Sequence, residues 1–313
     1  MYAVVIEQGQ LFWRERPDPE PGDREILVAV RGAGVNGADI SQRAGKYPAP
    51  PGWPQDVPGL EMAGEVVAAG RRVTRFAAGD RVMALVGGGG QAELALVDEA
   101  HALPVPAGLS WAEAGGFMEA WATAYDALFR QAGLTLGDRV LVTGAAGGVG
   151  SAGVQLAALA GGRVVASVRD AAQREAVAAL GSTEVVDPAE VAARGPYDVV
   201  LELVGAASLP SALGALATGA RVVVIGIGGG SAVEIDLRAL MGSRASIRAS
   251  TLRARSGGEK AALVGELGDR VVPALAEGRL RVPVAASFKL ADAGAAYERF
   301  TAGGKVGKIV LVS

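Results

Sequence analysis

The chain has 313 residues, half of them hydrophobic, and a net charge of −3 with both signs mixed along it. Its length suggests two domains, its apolar half excludes global disorder, and the charge leaves no basic surplus to favour nucleic acid or an anionic membrane. With no cysteine and one histidine, disulfides, thiol nucleophiles and thiolate metal sites are excluded. No apolar run reaches the roughly 18 residues of a spanning helix, and the N-terminus lacks the basic region of a signal peptide, so a cytoplasmic location is expected.

Residues 2–6 and 26–30 read as strands around the proline-laden turn at 16–22. A short loop or helix begins at Gly34, and an irregular proline-rich stretch covers 47–54. Residues 64–69, 80–85 and 92–97 are strand-like, with glycine turns between. Short strands at such close intervals predict a compact β-rich domain with a barrel-like core. The texture changes near 110, where Ser110-Trp-Ala-Glu113 is a capping-box pattern. It opens a helical region reaching about 131 and broken at Gly115-Gly116. From 138 onward strands (140–143, 163–168, 184–187, 198–203, 221–226) alternate with helices (151–160, 171–180, 208–217). That alternation predicts a doubly wound parallel sheet. Residues 259–277 read as helix. From about 281 the pattern is strand, helix (291–302) and strand (308–312), a tail expected to rejoin the first domain.

The alternating region begins with DRVLVTGAAGGVGSAGVQLAALAGGRVVASVR, residues 138–169. Strand, glycine turn, helix and strand within about thirty residues form a dinucleotide-binding βαβ unit. Glycine permits the tight turn and the close approach of backbone to a pyrophosphate. The helix N-terminus offers free N–H groups and partial positive charge to the phosphates. The candidate phosphate loop is Gly144, Ala146, Gly147, Gly148, Val149 and Gly150. An NAD site places an acid about twenty residues past the glycines. Here the second strand ends Ser167-Val168-Arg169, with Arg174 nearby, which favours a 2′-phosphate and hence NADP(H). Ligands sit at the carboxyl ends of parallel strands, so Val204, Gly205, Gly226, Ile227, Thr251 and Leu252 are further cofactor candidates.

Several motifs in order resemble the medium-chain dehydrogenase/reductase superfamily, and within it the zinc-free quinone oxidoreductase (zeta-crystallin-like) family. They are the loop Gly34-Val-Asn36-Gly-Ala-Asp39, then Gly45-Lys-Tyr47-Pro and Pro58-Gly-Leu60-Glu61-Met-Ala-Gly64. Gly79-Asp-Arg-Val82, Thr123-Ala-Tyr-Asp-Ala-Leu128, the glycine loop and Gly304-Lys-Val-Gly-Lys308-Ile-Val-Leu311 follow. The resemblance implies an α/β fold: a doubly wound Rossmann domain, 121–272, and a β-rich, GroES-like barrel domain, 1–120 with 273–313. The positions of zinc ligands in the zinc-dependent relatives fall at Asn36, Leu60 and Glu119. Leu is no ligand and Asn a poor one, so no metal is expected. His101 has no metal-spaced companion and reads as structural.

The resemblance implies hydride transfer from a reduced nicotinamide to a small-molecule quinone or an α,β-unsaturated carbonyl. The cofactor carries the hard step and the protein orients and desolvates. Asn36 is the candidate to hydrogen-bond the nicotinamide ribose or the substrate carbonyl. Tyr47 is the candidate donor to a developing oxyanion, and Thr123 is placed at the nicotinamide end. Glu61 reads as structural, and Asp39 as tying down its own loop. Where relatives carry a phosphate-binding Lys and Tyr, this chain has Gln173 and Asp187. A homodimer is implied, with residues 245–250 as a strand that pairs with its copy. The alternatives are an enoyl-thioester reductase and a non-catalytic NADPH-binding protein.

Overall fold

The computed structural model describes every residue from Met1 to Ser313. The chain divides into two compact units. The first holds Met1–Ala122, Leu252–Gly303 and Lys308–Ser313; the second holds Thr123–Thr251 and Gly304–Gly307. No helix is long and apolar enough to cross a membrane.

The chain opens with a hairpin, β1 (Tyr2–Glu7) and β2 (Gln10–Glu15), paired antiparallel. The sequence pattern missed β2. Its residues are exposed or half-buried throughout, so no apolar alternation marks it. Left-handed backbone at Gln8 (φ 50) and Gly9 (φ 79) makes the two-residue turn. β3 (Glu25–Val35) runs five residues past its expected end and delivers the chain to α1 (Gly37–Arg43), whose N-cap is Asn36. β4 (Glu61–Ala69), β5 (Arg81–Leu85), β6 (Leu94–Asp98) and β7 (Ala102–Pro104) follow. α2 (Trp111–Gly115) begins at the predicted capping box, where Ser110 Oγ accepts from the Glu113 N–H and the Glu113 carboxylate accepts from the Ser110 N–H. After Gly116 the chain resumes as α3 (Met118–Tyr125).

The alternating region then unfolds as expected. Its elements are β8 (Arg139–Val142), α4 (Gly148–Leu159), β9 (Arg163–Ser167), α5 (Arg174–Ala178), β10 (Glu184–Val186) and β11 (Tyr197–Glu202). α6 (Leu209–Leu213), β12 (Leu216–Val224), α7 (Leu237–Ser243) and β13 (Ser246–Ala249) complete it. The six strands are parallel in the order β10-β9-β8-β11-β12-β13. β8 and β11 lie inside the sheet and bury nearly every residue, the mark of strands covered on both faces. The core here is Leu141, Val165, Tyr197, Val200 and Val222. β12 starts at Leu216 rather than near 221, because α6 stops at Leu213 after little more than one turn.

The tail forms α8 (Gly257–Arg270), α9 (Val272–Ala276), β14 (Val284–Lys289), α10 (Ala293–Thr301) and β15 (Lys308–Val312). β15 pairs antiparallel with β3, giving the order β14-β15-β3-β4-β5-β7, with β6 also on β3. The core on this sheet includes Ile26, Val28, Val30, Met62, Val66, Val82 and Val97. Residues 252–272, expected in the dinucleotide-binding domain, group with the first unit. The reason is the buried face of α8: Leu263, Val264 and Leu267 are covered, and a Cβ on Gly268 would lie 2.9 Å from Leu103 of β7. The reverse holds for residues 304–307, which group with the second unit. There the Gly307 N–H donates to the Ala146 carbonyl (2.8 Å) and Gln173 Nε2 donates to the Lys305 carbonyl (2.8 Å).

Candidate active site

In the second unit the glycine loop joins β8 to α4. Gly144 takes left-handed backbone (φ 56) to make the turn. At Gly150 a Cβ would lie 2.4 Å from the Gly144 carbonyl oxygen, so only glycine closes the loop. Gly147 caps α4 with no side chain bonded back to the helix, which leaves the first amide donors turned outward. A loop stripped of side chains over an uncapped helix start fits a dinucleotide pyrophosphate. Ala146, Gly148 and Val149 belong to the same turn. Ser167 ends β9 and is buried, whereas Arg169 is exposed just beyond it and makes no ion pair. Arg174 is occupied: it donates to Asp187 Oδ2 (2.7 Å) and to the Val168 carbonyl (3.2 Å). That pair accounts for Asp187, and the bond to Lys305 accounts for Gln173.

Val204 and Gly205 follow β11, and Gly226 and Ile227 follow β12. Thr251 follows β13 in the second unit, while Leu252 is the first residue of the returning segment of the other. Sequence reasoning missed what shapes the turn at 203–205. Glu202, fully buried, gathers the Val204 N–H (2.7 Å), Gly205 N–H (2.8 Å), Ser208 Oγ (2.6 Å) and Thr143 Oγ1 (2.9 Å) on one carboxylate oxygen. An acidic residue ending a strand of apolar neighbours was the available signal. Thr123, on α3, is buried and belongs to this unit.

In the first unit the side chains converge on Glu61, at the start of β4. Its Oε1 accepts from Asn36 Nδ2 (3.0 Å) and pairs with Lys308 Nζ (2.6 Å); its Oε2 accepts from the Glu119 N–H (2.8 Å). Lys308 Nζ also donates to Asn36 Oδ1 (2.6 Å). The ammonium demands an oxygen and the carboxylate demands an N–H, so together they fix which way the Asn36 amide points. One Asn36 N–H remains uncommitted, while Oδ1 already accepts from Lys308. Glu61 and Lys308 are 0% and 4% exposed, so this is a buried ion pair. Asp39 ties its loop as expected, accepting from the Asn36 N–H (2.7 Å) and the Gly59 N–H (3.0 Å). Burial raises its carboxyl to about 6 against those bonds.

Glu119 follows a different course. Burial, then the neighbouring Glu61 carboxylate, pushes its carboxyl up to about 8. Tyr47 is half-buried, and burial first and Glu119 second raise its phenol. Its ring lies 5.3 Å from the Arg253 guanidinium carbon. Arg253, which sequence reasoning also missed, is 3% exposed and donates to the Tyr47 carbonyl (3.0 Å), the Gly87 carbonyl (2.8 Å) and Gln42 Oε1 (2.7 Å). It ties the proline-rich stretch to the glycine run at 87–90. Lys260 Nζ in turn donates to the Arg253 carbonyl (2.7 Å). His101 is buried, with Nε2 at 2.9 Å from the Gly257 carbonyl oxygen.

Two family models match the chain: the alcohol dehydrogenase GroES-like domain over residues 22–107 and the zinc-binding dehydrogenase over 148–269. A quinone oxidoreductase of Lama guanicoe is 31% identical over 306 residues, covering 94% of this chain and 90% of that protein. An alcohol dehydrogenase superfamily protein of Novosphingobium aromaticivorans superposes with a TM-score of 0.90 at 28% identity, over 100% of this chain and 99% of its own. A mycobacterial protein solved in complex with NADPH superposes with a TM-score of 0.87, also at 28% identity, over the whole of both chains. Zinc, implied by the second family model, does not fit the residues here. Leu60 offers no lone pair and is buried, and the Asn36 oxygen faces an ammonium. No group of three or more His, Cys, Asp or Glu side chains stands at metal spacing.

Proposed function

The chain belongs to the quinone oxidoreductase family of the medium-chain dehydrogenase/reductase superfamily, and from that premise we propose that it is a zinc-independent, NADPH-dependent reductase of quinones and α,β-unsaturated carbonyls. The observation that carries the reading is the Lys308 ammonium held between Asn36 and Glu61. A fixed internal cation occupies the oxygen that a metal would need. Without a Lewis acid an alcohol is a poor hydride donor, and reduction of an electrophilic acceptor is the natural direction.

With the pyrophosphate of the dinucleotide held at the glycine loop, its reduced nicotinamide would supply the hydride. The chain's own residues position and polarise. Asn36 has a remaining amide N–H whose direction Lys308 and Glu61 set, so it offers a donor. Tyr47, steadied by Arg253, offers a phenolic O–H to the oxygen on which charge develops. Thr123 belongs with the cofactor residues. Arg169 is the candidate partner of a 2′-phosphate, since Arg174 is already paired. β13 is an edge strand, and we assign it the contact of a homodimer.

The test mixes the purified protein with NADPH or NADH and a panel of quinones, enones and enoyl-CoA thioesters. Oxidation of NADPH by quinones or simple enones is expected. Turnover confined to the thioesters would move the protein to enoyl-thioester reduction, and tight NADPH binding without turnover would make it a binding protein.

A further inference from the structure

Three carboxyls meet in the first unit, and two are committed. Asp39 accepts two backbone N–H groups, and Glu61 holds Asn36, Lys308 and the Glu119 N–H. Both are 0% exposed. Glu119 has its backbone anchored by Glu61, yet its carboxyl makes no hydrogen bond and no ion pair. It also keeps partial access to solvent.

Reduction of an enone or a quinone consumes a proton as well as a hydride. A side chain that delivers that proton must carry one at working pH, must be free of structural bonds, and must recover it from water. We propose that Glu119 is this proton donor, an inference that rests on the reductase reading above. Asp39 and Glu61 fail the second and third conditions. Glu119 meets all three, and its carboxyl is raised to about 8. The groups setting that value come from every side. The Glu61 carboxylate of β4 and the Asp39 carboxylate of α1 raise it; Lys308 of β15 and Lys260 of α8 oppose them. Tyr47 and Arg253 share the same field.

With an enone, the hydride pair forms a C–H bond at the β-carbon and the C=C bond opens to an enolate. The Glu119 O–H bond then breaks, its proton forms the C–H bond at the α-carbon, and the electron pair stays on the carboxylate. Water returns the proton. With a quinone, the hydride pair ends in an O–H bond at one carbonyl oxygen, the ring becomes aromatic with the other oxygen left as a phenolate, and the Glu119 proton goes to that phenolate.

Glu119→Gln keeps the shape and removes the proton, and Glu119→Asp restores the acid. In Glu119→Gln, kcat is expected to fall by about 100-fold or more, with the affinity for NADPH, read by protein fluorescence, unchanged. Wild-type kcat should decline as pH rises through about 8, a limb that Glu119→Asp retains and Glu119→Gln lacks. A second measurement is independent of turnover. In the cofactor-free wild-type protein the infrared band of a protonated carboxyl should disappear through the same pH, and this titration also decides the matter should Glu119→Gln fail to fold. Wild-type rates and an unchanged pH limb in Glu119→Gln would overturn the proposal alone. So would an ionised Glu119 at neutral pH, or stoichiometric zinc in the purified protein. A wild-type protein inactive on every quinone and enone would overturn the reductase reading and this proposal together.

Discussion

Replacing Lys308 by methionine keeps the length of the side chain and deletes its charge. Glu61 would then be a carboxylate with no cation, buried to 0% exposure, its Oε1 left with the Asn36 N–H alone. Asn36 Oδ1 would lose its donor as well. Removing one partner of a buried pair costs about 3–5 kcal/mol, and an orphaned buried acceptor about 1–3 kcal/mol. These penalties share the same three side chains and do not add, so a loss of about 3–5 kcal/mol is expected. The assay has a built-in selectivity. All four tryptophans, Trp13, Trp53, Trp111 and Trp121, lie in the first unit. Their fluorescence in a urea titration reports that unit, which avoids forcing a two-state description on the whole chain. The double variant Lys308→Met/Glu61→Gln removes both charges and should recover much of the loss. A single-variant loss below about 1 kcal/mol, or a double variant that loses the sum of the two singles, would refute the buried-pair argument.

Three further outcomes follow from the same geometry. Glu119 and Asp39 are both raised, to about 8 and about 6 from 4.5 and 3.8, so the folded unit binds their protons more tightly than the unfolded chain does. Their contribution is fully present below about pH 4 and is lost as pH rises through 6 and then 8. Tryptophan-detected stability should fall across that window, less so in Glu119→Gln. Gly150→Ala puts a Cβ 2.4 Å from the Gly144 carbonyl oxygen; calorimetry should show loss of dinucleotide binding, and retained affinity would mean that the loop yields. Arg169→Glu should reverse the preference for NADPH over NADH, measured as the ratio of kcat/KM, and an unchanged ratio removes Arg169 from the 2′-phosphate site.

What could be read in advance was whatever has a local period or a local turn. The glycine loop, the capping box at Ser110 and the strand–helix alternation from 138 all declare themselves within a few residues. β2 did not, because its apolar residues Leu11, Phe12 and Trp13 stand in a row, all only half-buried, and no alternation marks the face that packs. The boundary at 251/252 did not either, since α8 looks the same in sequence whichever unit covers it. The centre of the first unit depends on contacts of long range: Asn36 and Lys308 meet across 272 positions. Its one local sign was a lysine heading the otherwise apolar, buried strand β15. Arg253 gave less warning, since its three acceptors lie far away in sequence, one on α1 and two being backbone carbonyls of loops.

The short segment 304–307 limits how this protein can be taken apart. The dinucleotide unit is not one continuous stretch: a fragment spanning 123–251 lacks the amide that meets Ala146 beside the phosphate loop and the carbonyl that receives Gln173. Such a fragment keeps all six strands of its sheet but leaves the Ala146 carbonyl and the Gln173 amide without those partners. Shortening the C-terminus by ten residues would strip those contacts and β15 in one cut, so truncation there removes the Lys308 cation and the bonds to Ala146 and Gln173 together.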